Sequence, residues 1–261
     1  MSIYAAIAEL EKNHESGALC VVVRSQGSTP RGASSKMLVY ADGRSLGSVG
    51  GGEMESRVVA EALQSLRDGK PRLLAYNMAE PQQGDPGVCG GQVEIFVEPV
   101  LPKPTLVVVG GGHVGRAVAH LAHWLGFWVV LSDDRSEFCT PESAPDADEF
   151  FPVPLPEFSQ RFVITPWTYL VLTTRSVDID VPGLPGLLNS PAAYIGVIGS
   201  RRRWETTRKQ LLDVGVTVEK LDGVHSPIGL DLGAETPEEI AVSILAEIIR
   251  IRKKKETVPG V

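Results

Sequence analysis

The stretch Leu106–Asp134, LVVVGGGHVGRAVAHLAHWLGFWVVLSDD, constrains this chain more than any other. Leu106–Val109 is an unbroken apolar, mostly β-branched run, the pattern of a strand buried on both faces of a parallel sheet. Gly110, Gly112 and Gly115 follow it as G-x-G-x-x-G. In that spacing the first glycine permits a tight turn, the second lets backbone approach a phosphate, and the third lets a helix pack closely on the strand. Val114, Ala117, Val118 and Leu121 recur at helical spacing as far as Gly126, and Phe127–Leu131 reads as a second strand. Asp133 then stands where a carboxylate would meet ribose hydroxyls. The unit predicts one half of a Rossmann-type, doubly wound α/β sheet. Two uses of it stay open: a dinucleotide site, or glycines that serve packing alone. His113, inside the loop, is placed to restrict access to the phosphate position.

A second strand–glycine turn–helix unit lies upstream. Residues 2–13 read as a short amphipathic helix, Leu19–Val23 and Met37–Tyr40 as strands, and Asp42-Gly43 as a hairpin turn. Between the strands runs a polar loop, Ser25 to Gly32, containing Ser28, Pro30 and Arg31. Leu46–Val49 leads to Gly50-Gly51-Gly52 and Glu53, and apolar positions from Met54 to Leu66 mark a helix ended by Gly69. A glycine turn at a helix N-terminus offers N–H groups and a positive dipole end to an anion; an ordinary tight turn explains it equally well. Cys89 sits in a glycine-flanked loop before Gly90, Gly91 and the alternating strand Val93–Val97. Cys20 lies within a strand and reads as a small core residue. Cys139 lies in a polar stretch and reads as exposed. For Cys89 a turn-filling side chain and a ligand-facing thiol stand level.

Leu101-Pro102-Lys103-Pro104 reads as a linker between an N-terminal α+β domain, residues 1–100, and a Rossmann-like domain, residues 105–261. Later in the chain Tyr169–Thr173 and Tyr194–Ile198 are further buried strands. The second empties into Gly199, Ser200, Arg201, Arg202 and Arg203. Basic residues are unfavourable at a helix N-terminus, so this run points to a local anion site, with a solvated helical turn as the alternative. Thr236, Pro237 and Glu239 form a capping box for a last helix with a basic C-terminal end.

A formal charge of −7 argues against a nucleic-acid partner. No apolar run reaches the length of a membrane span, and the first residues lack the basic-then-apolar pattern of a signal peptide. Three cysteines, an odd and sparse set, suit the reducing cytoplasm. They form no pairing that suggests a zinc site.

Taken together, Gly27-Ser28-Thr29-Pro30-Arg31, Gly51-Gly52-Glu53-Met54-Glu55, Cys89-Gly90-Gly91, Gly110 to Gly115, Asp133-Asp134-Arg135, Gly199-Ser200-Arg201-Arg202 and the long stretch Pro227 to Ala241 resemble the XdhC/CoxI family. These are the accessory factors of xanthine dehydrogenase and related molybdenum hydroxylases. The resemblance spans nearly the whole chain. It implies a family-type N-terminal domain followed by a Rossmann-like domain. It also implies a cytoplasmic maturation chaperone, homodimeric, that binds molybdenum cofactor, supports its sulfuration with a cysteine desulfurase as sulfur source, and delivers it to an apo-hydroxylase. Cys89 is then the contact to molybdenum. Two departures stand out: Glu53 replaces a cysteine of many relatives, and Thr173-Thr174-Arg175-Ser176 replaces a T-H-x-H pattern. The residues also admit an NAD(P)-dependent oxidoreductase, although no acid/base pair such as Tyr-x-x-x-Lys accompanies the glycine loop. A scaffold that senses an adenine nucleotide is a third reading.

Overall fold

The computed structural model describes residues 1–77 and 90–256, without the side chains of 254–256. The chain divides into two compact units, one ending at Pro102 and the other beginning at Lys103.

In the first unit α1 (Ile3–Lys12) precedes β1 (Gly17–Gln26), β2 (Lys36–Tyr40) and β3 (Ser45–Gly47), followed by α2 (Gly52–Asp68), β4 (Arg72–Asn77) and β5 (Gln92–Val100). The strands form one antiparallel sheet in the order β3-β2-β1-β5-β4. Strand periodicity sorts the side chains. Ala18, Cys20 and Val22 share a face with Met37, Val39, Val93, Ile95 and Val97, and bury it under Met54, Val58 and Ala62 of α2. Leu38 turns the other way, onto Ala6 and Leu10 of α1. Cys20 is the core residue its position predicts, and burial pushes its thiol up to about 12. Gly69, left-handed at φ 69°, ends α2 and donates its N–H to the Ser65 carbonyl at 2.8 Å.

The second unit runs β6 (Thr105–Val109), α3 (His113–Trp124), β7 (Trp128–Ser132), β8 (Glu149–Phe151), α4 (Leu155–Arg161), β9 (Thr168–Leu172), α5 (Val177–Leu188), β10 (Tyr194–Val197), α6 (Arg201–Asp213), α7 (Val218–Asp222) and α8 (Pro237–Glu256). Its five strands are all parallel, in the order β10-β9-β6-β7-β8. From β6 the chain winds outward through β7 and β8, then returns to the other side of β6 for β9 and β10. That reversal is the topological switch of a doubly wound Rossmann-like sheet. Leu106 and Val108 of β6 bury one face with α3 and α8, through Val118, Ala122, Ile244 and Ile248. Val107 and Val109 bury the opposite face with Phe158, Leu184 and Leu211 of α4, α5 and α6. The expected capping box forms: Glu239 N–H donates to Thr236 Oγ1 at 3.2 Å, and Thr236 N–H to Glu239 Oε2 at 3.1 Å. Cys139 departs from expectation. It is only 4% exposed, and its thiol donates to the Leu131 carbonyl at 3.3 Å, because the polar stretch around it folds back on β7. Among the described residues no helix is long and apolar enough to cross a membrane.

Candidate functional site

In a doubly wound sheet the crevice beyond the carboxyl ends of the strands, at the switch point, is where ligands sit. Here a cleft of about 200 Å3 opens at that place. Its lining comes from the loop after β6 (Gly110, Gly112), the end of β7 (Asp133, Asp134, Arg135) and the segment after β9 (Thr173, Thr174, Arg175). Apolar side chains, among them Leu155 and Ile179, complete the wall.

Two of the three loop glycines are required by the backbone and the third is not. Gly110 adopts φ 112°, and a Cβ there would stand 2.7 Å from the Thr173 carbonyl oxygen. A Cβ on Gly115 would stand 1.8 Å from the carbonyl oxygen of Gly110, so this glycine seats α3 on the loop. Gly112 meets no described atom within 4 Å and keeps an ordinary φ of −69°. It is the N-cap of α3, and no described side chain caps that helix. His113, beside it, is exposed and is not among the described residues lining the cleft. The imidazole therefore does not restrict the cleft in the way its place in the loop suggested.

Asp133 is also placed differently from expectation. Its carboxylate is buried and already engaged: Oδ2 accepts from Gly111 N–H at 2.8 Å and Arg135 Nη2 at 2.9 Å, and Oδ1 accepts from Arg135 N–H at 2.9 Å and Nε at 3.0 Å. It fixes the glycine loop to the end of β7 and is not turned outward toward a ribose. Thr173 braces the loop from the other side, donating its hydroxyl to the Gly110 carbonyl at 2.8 Å. The outward carboxylate is Asp134, held by both terminal nitrogens of Arg175 at 2.7 Å each. Those hydrogen bonds hold the Asp134 carboxyl down at about 2. Arg135 lies over the Phe138 ring at 3.9 Å.

The run after β10 behaves differently from its expectation. Ser200 accepts from Arg203 N–H at 3.2 Å and caps α6. Arg203 turns inward, donating Nη1 to the Thr174 carbonyl at 2.9 Å and Nη2 to Thr174 Oγ1 at 2.9 Å and to Asp180 at 2.6 Å. Thr174 Oγ1 also donates to Asp180 Oδ1. One of the three arginines is thus a partly buried tie between α5 and α6, explained by the buried Asp180 and not by a ligand. Arg201 and Arg202 are exposed on the first turn of α6, and Gly199, Ser200, Arg201 and Arg202 are not among the described cleft-lining residues.

In the first unit three motifs converge at one end of the antiparallel sheet. A Cβ on Gly91 would stand 2.3 Å from the Ser28 carbonyl oxygen, so Gly90-Gly91 lies directly against the loop of Ser28, Pro30 and Arg31. The Pro30 ring packs beside Gly50, with its Cβ 3.4 Å from where a Gly50 Cβ would stand. The adjacent turn, Gly51 and Gly52, carries positive φ values of 79° and 64°. N–H groups just ahead of α2 are already met, although no described side chain caps the helix itself. Glu55 Oε2 accepts from Ser48 Oγ at 2.6 Å, Gly51 N–H at 3.1 Å and Val49 N–H at 3.2 Å. Burial raises the Glu55 carboxyl, but these donors outweigh it and the net shift is downward. Glu53 forms a surface pair with Arg57 one turn along α2. Cys89 lies outside the described residues. Among the described residues no group of three or more His, Cys, Asp or Glu side chains is placed to hold a metal ion.

Sequence reasoning missed Glu55, Thr173, Arg175 and Asp180. Glu55 stands in the Gly51–Glu55 motif, and Thr173 and Arg175 stand where the family pattern departs, but the sequence alone assigns none of them a role; Asp180 carries no signal.

Two family models match the chain: the XdhC Rossmann domain over residues 106–248, and the XdhC and CoxI family over residues 10–77. YqeB of Escherichia coli K12 is 37% identical over the whole chain, which spans 47% of that protein. A Bacillus subtilis protein described as a probable xanthine dehydrogenase subunit is 34% identical over 61% of the chain and 46% of its own length. The chain thus spans about half the length of these two relatives. The molybdenum cofactor insertion chaperone PaoD of E. coli K12 is 22% identical over 91% of the chain and 84% of its own length. A crystal structure described as a xanthine dehydrogenase from Bacillus halodurans shares the fold, with a TM-score of 0.54 and 22% identity over 100% of this chain and 98% of that one. The Rossmann-domain match alone spans more than half of the chain, and with the N-terminal match beside it the chain belongs to the XdhC and CoxI family.

Proposed function

We propose that this protein is an accessory factor of a xanthine dehydrogenase or related molybdenum hydroxylase, with molybdenum cofactor as its cargo. The observation that carries the reading is the uncapped N-terminus of α3 at the switch-point cleft, in a chain of this family. Molybdopterin ends in a phosphate, and its dinucleotide forms carry two. Backbone N–H groups at a helix N-terminus, with Arg135 and Arg175 on the wall, suit such a group. The metal end calls for a soft thiolate. Cys20 and Cys139 are buried and their thiols are pushed up, which leaves Cys89 as the cysteine for that contact. Gly90, next to Cys89, lies with Gly91 against the Ser28 loop, so Ser28, Pro30, Arg31, Gly51 and Gly52 belong to the same proposed cargo surface. On this reading the protein supports sulfuration of the cofactor, with a cysteine desulfurase as sulfur source, and hands it to the apo-hydroxylase. It acts in the cytoplasm, as a homodimer and as a carrier rather than a catalyst.

Protein purified from a molybdate-fed, cofactor-competent host should carry molybdenum and pterin. Cys89→Ala should lose the molybdenum while melting at nearly the same temperature. Wild-type protein with neither molybdenum nor pterin above background would refute the reading.

The strand order and the G-x-G-x-x-G loop favour a second reading, an NAD(P)-dependent oxidoreductase or a nucleotide-sensing scaffold. The inward commitment of Asp133 weighs against it, since the carboxylate that would hold a ribose already holds Gly111. Calorimetric titration with NAD+ and NADH separates the two.

A further inference from the structure

Asp134 follows the end of β7 and Arg175 follows the end of β9, the two strands that flank β6. Their ion pair therefore joins the two sides of the cleft across the end of β6. The cleft's two arginines are held in different ways. Arg135 is tied to the buried Asp133 by two side-chain hydrogen bonds and lies on Phe138. Among the described residues the head of Arg175 is held by Asp134, and the two side chains are 48% and 31% exposed. A pair this open to water is weakly held and exchanges readily. The root of Arg175 is fixed, because Arg203 grips the Thr174 carbonyl and hydroxyl while Asp180 grips Arg203. A fixed root with an exchangeable, bidentate head is the arrangement of an anion-recognising arginine.

We propose that Arg175 recognises a phosphate group in this cleft and that Asp134 holds its place until that group arrives. A phosphate beside Gly112 takes the guanidinium from Asp134, exchanging one bidentate oxyanion partner for another. The inference rests on the proposed cargo reading only for the ligand's identity. The shared chemistry is a phosphate, a monoester in molybdopterin and an anhydride in a dinucleotide.

The test is calorimetric titration of the full chain at low salt with isolated molybdopterin and, separately, NAD+. Arg175→Gln should weaken binding of the recognised probe roughly tenfold. Arg175→Lys, which keeps the charge but not the fork, should fall between. Asp134→Asn should tighten binding several-fold, and that gain should vanish in the Arg175→Gln background. Unchanged affinity in a folded Arg175→Gln, or an equal gain from Asp134→Asn with and without Arg175, overturns the proposal. The full pattern with NAD+ but not molybdopterin keeps Arg175 and refutes the cargo reading. Molybdopterin binding indifferent to every variant refutes Arg175 and keeps the cargo reading. If wild-type protein binds neither probe, both fall.

Discussion

The chain contains the same local device twice, a strand running through a glycine turn into a helix, and the two copies end differently. At Gly50–Gly52 the turn is closed from within: Glu55, on the first turn of α2, accepts from Ser48, Val49 and Gly51. At Gly110–Gly112 the carboxylate comes instead from the end of β7, Asp133 on Gly111 and Arg135, and neither α2 nor α3 has a described side-chain cap. The glycines differ in the same sense. Gly51 and Gly52 have positive φ, which is reason enough for glycine. Gly110 also has positive φ, and backbone crowds it as it crowds Gly115. Gly112 has neither reason. A glycine-rich turn before a helix is thus no anion site until the N–H groups that its own carboxylates already meet have been identified.

The largest expected effect comes from breaking the seat of α3. Gly115→Ala would drive a methyl group to 1.8 Å from the Gly110 carbonyl oxygen. Backbone must then move, and the loss should reach about 3 kcal/mol or more in urea unfolding. A loss under about 1 kcal/mol would mean that the helix shifts freely and the loop geometry is soft.

Next in size is the closed turn. Glu55→Ala should cost about 1–2 kcal/mol at neutral pH, the range for losing a carboxylate that accepts several hydrogen bonds. The Glu55 carboxyl is held below its ordinary value of 4.5 in the folded chain. Its contribution is therefore complete above about that pH and fades as pH falls through the lower folded value, where wild type and variant converge. A difference that persists unchanged down to about pH 2 would assign the effect to packing. Inorganic phosphate should partly rescue the variant by taking the place of the carboxylate.

This contrast marks what the sequence makes legible. Within the glycine-turn units the elements follow from local pattern: β6, α3 and β7 lie within a residue or two of their expected bounds, and the capping box at Thr236 forms as written. Cys20 is in the core for the same reason, strand periodicity. Glu55 is hard to single out because a carboxylate on the first turn of a helix reads as ordinary dipole compensation, and nothing local says it reaches back to Val49. Asp133, Arg175 and Arg203 are illegible for a different reason. Their partners arrive through the parallel order β9-β6-β7, which puts Thr173 against Gly110 across 63 residues of chain. Strand order of that kind is set by packing on both faces, which periodicity cannot rank. The polar stretch from 136 to 160 hides β8, α4 and the buried Cys139 because its apolar residues are few and irregularly spaced.

The smallest effect on stability is expected at the most informative residue. Gly112 sits at the N-cap of α3 with φ −69° and ψ −173°, extended backbone open to any residue, and no described atom lies within 4 Å of where a methyl group would stand. Serine is among the preferred N-caps, so Gly112→Ser should change stability by only about a few tenths of a kcal/mol, in the stabilising direction. The hydroxyl would also stand where a phosphate must approach, so affinity for phosphate-bearing probes should fall while the fold is kept. A variant that loses more than about 1 kcal/mol would show that the fold itself requires glycine here. A variant as stable as wild type that binds every phosphate probe equally well would show that the uncapped turn is not where phosphate is held, and the distinction between the two turns would then be one of packing alone.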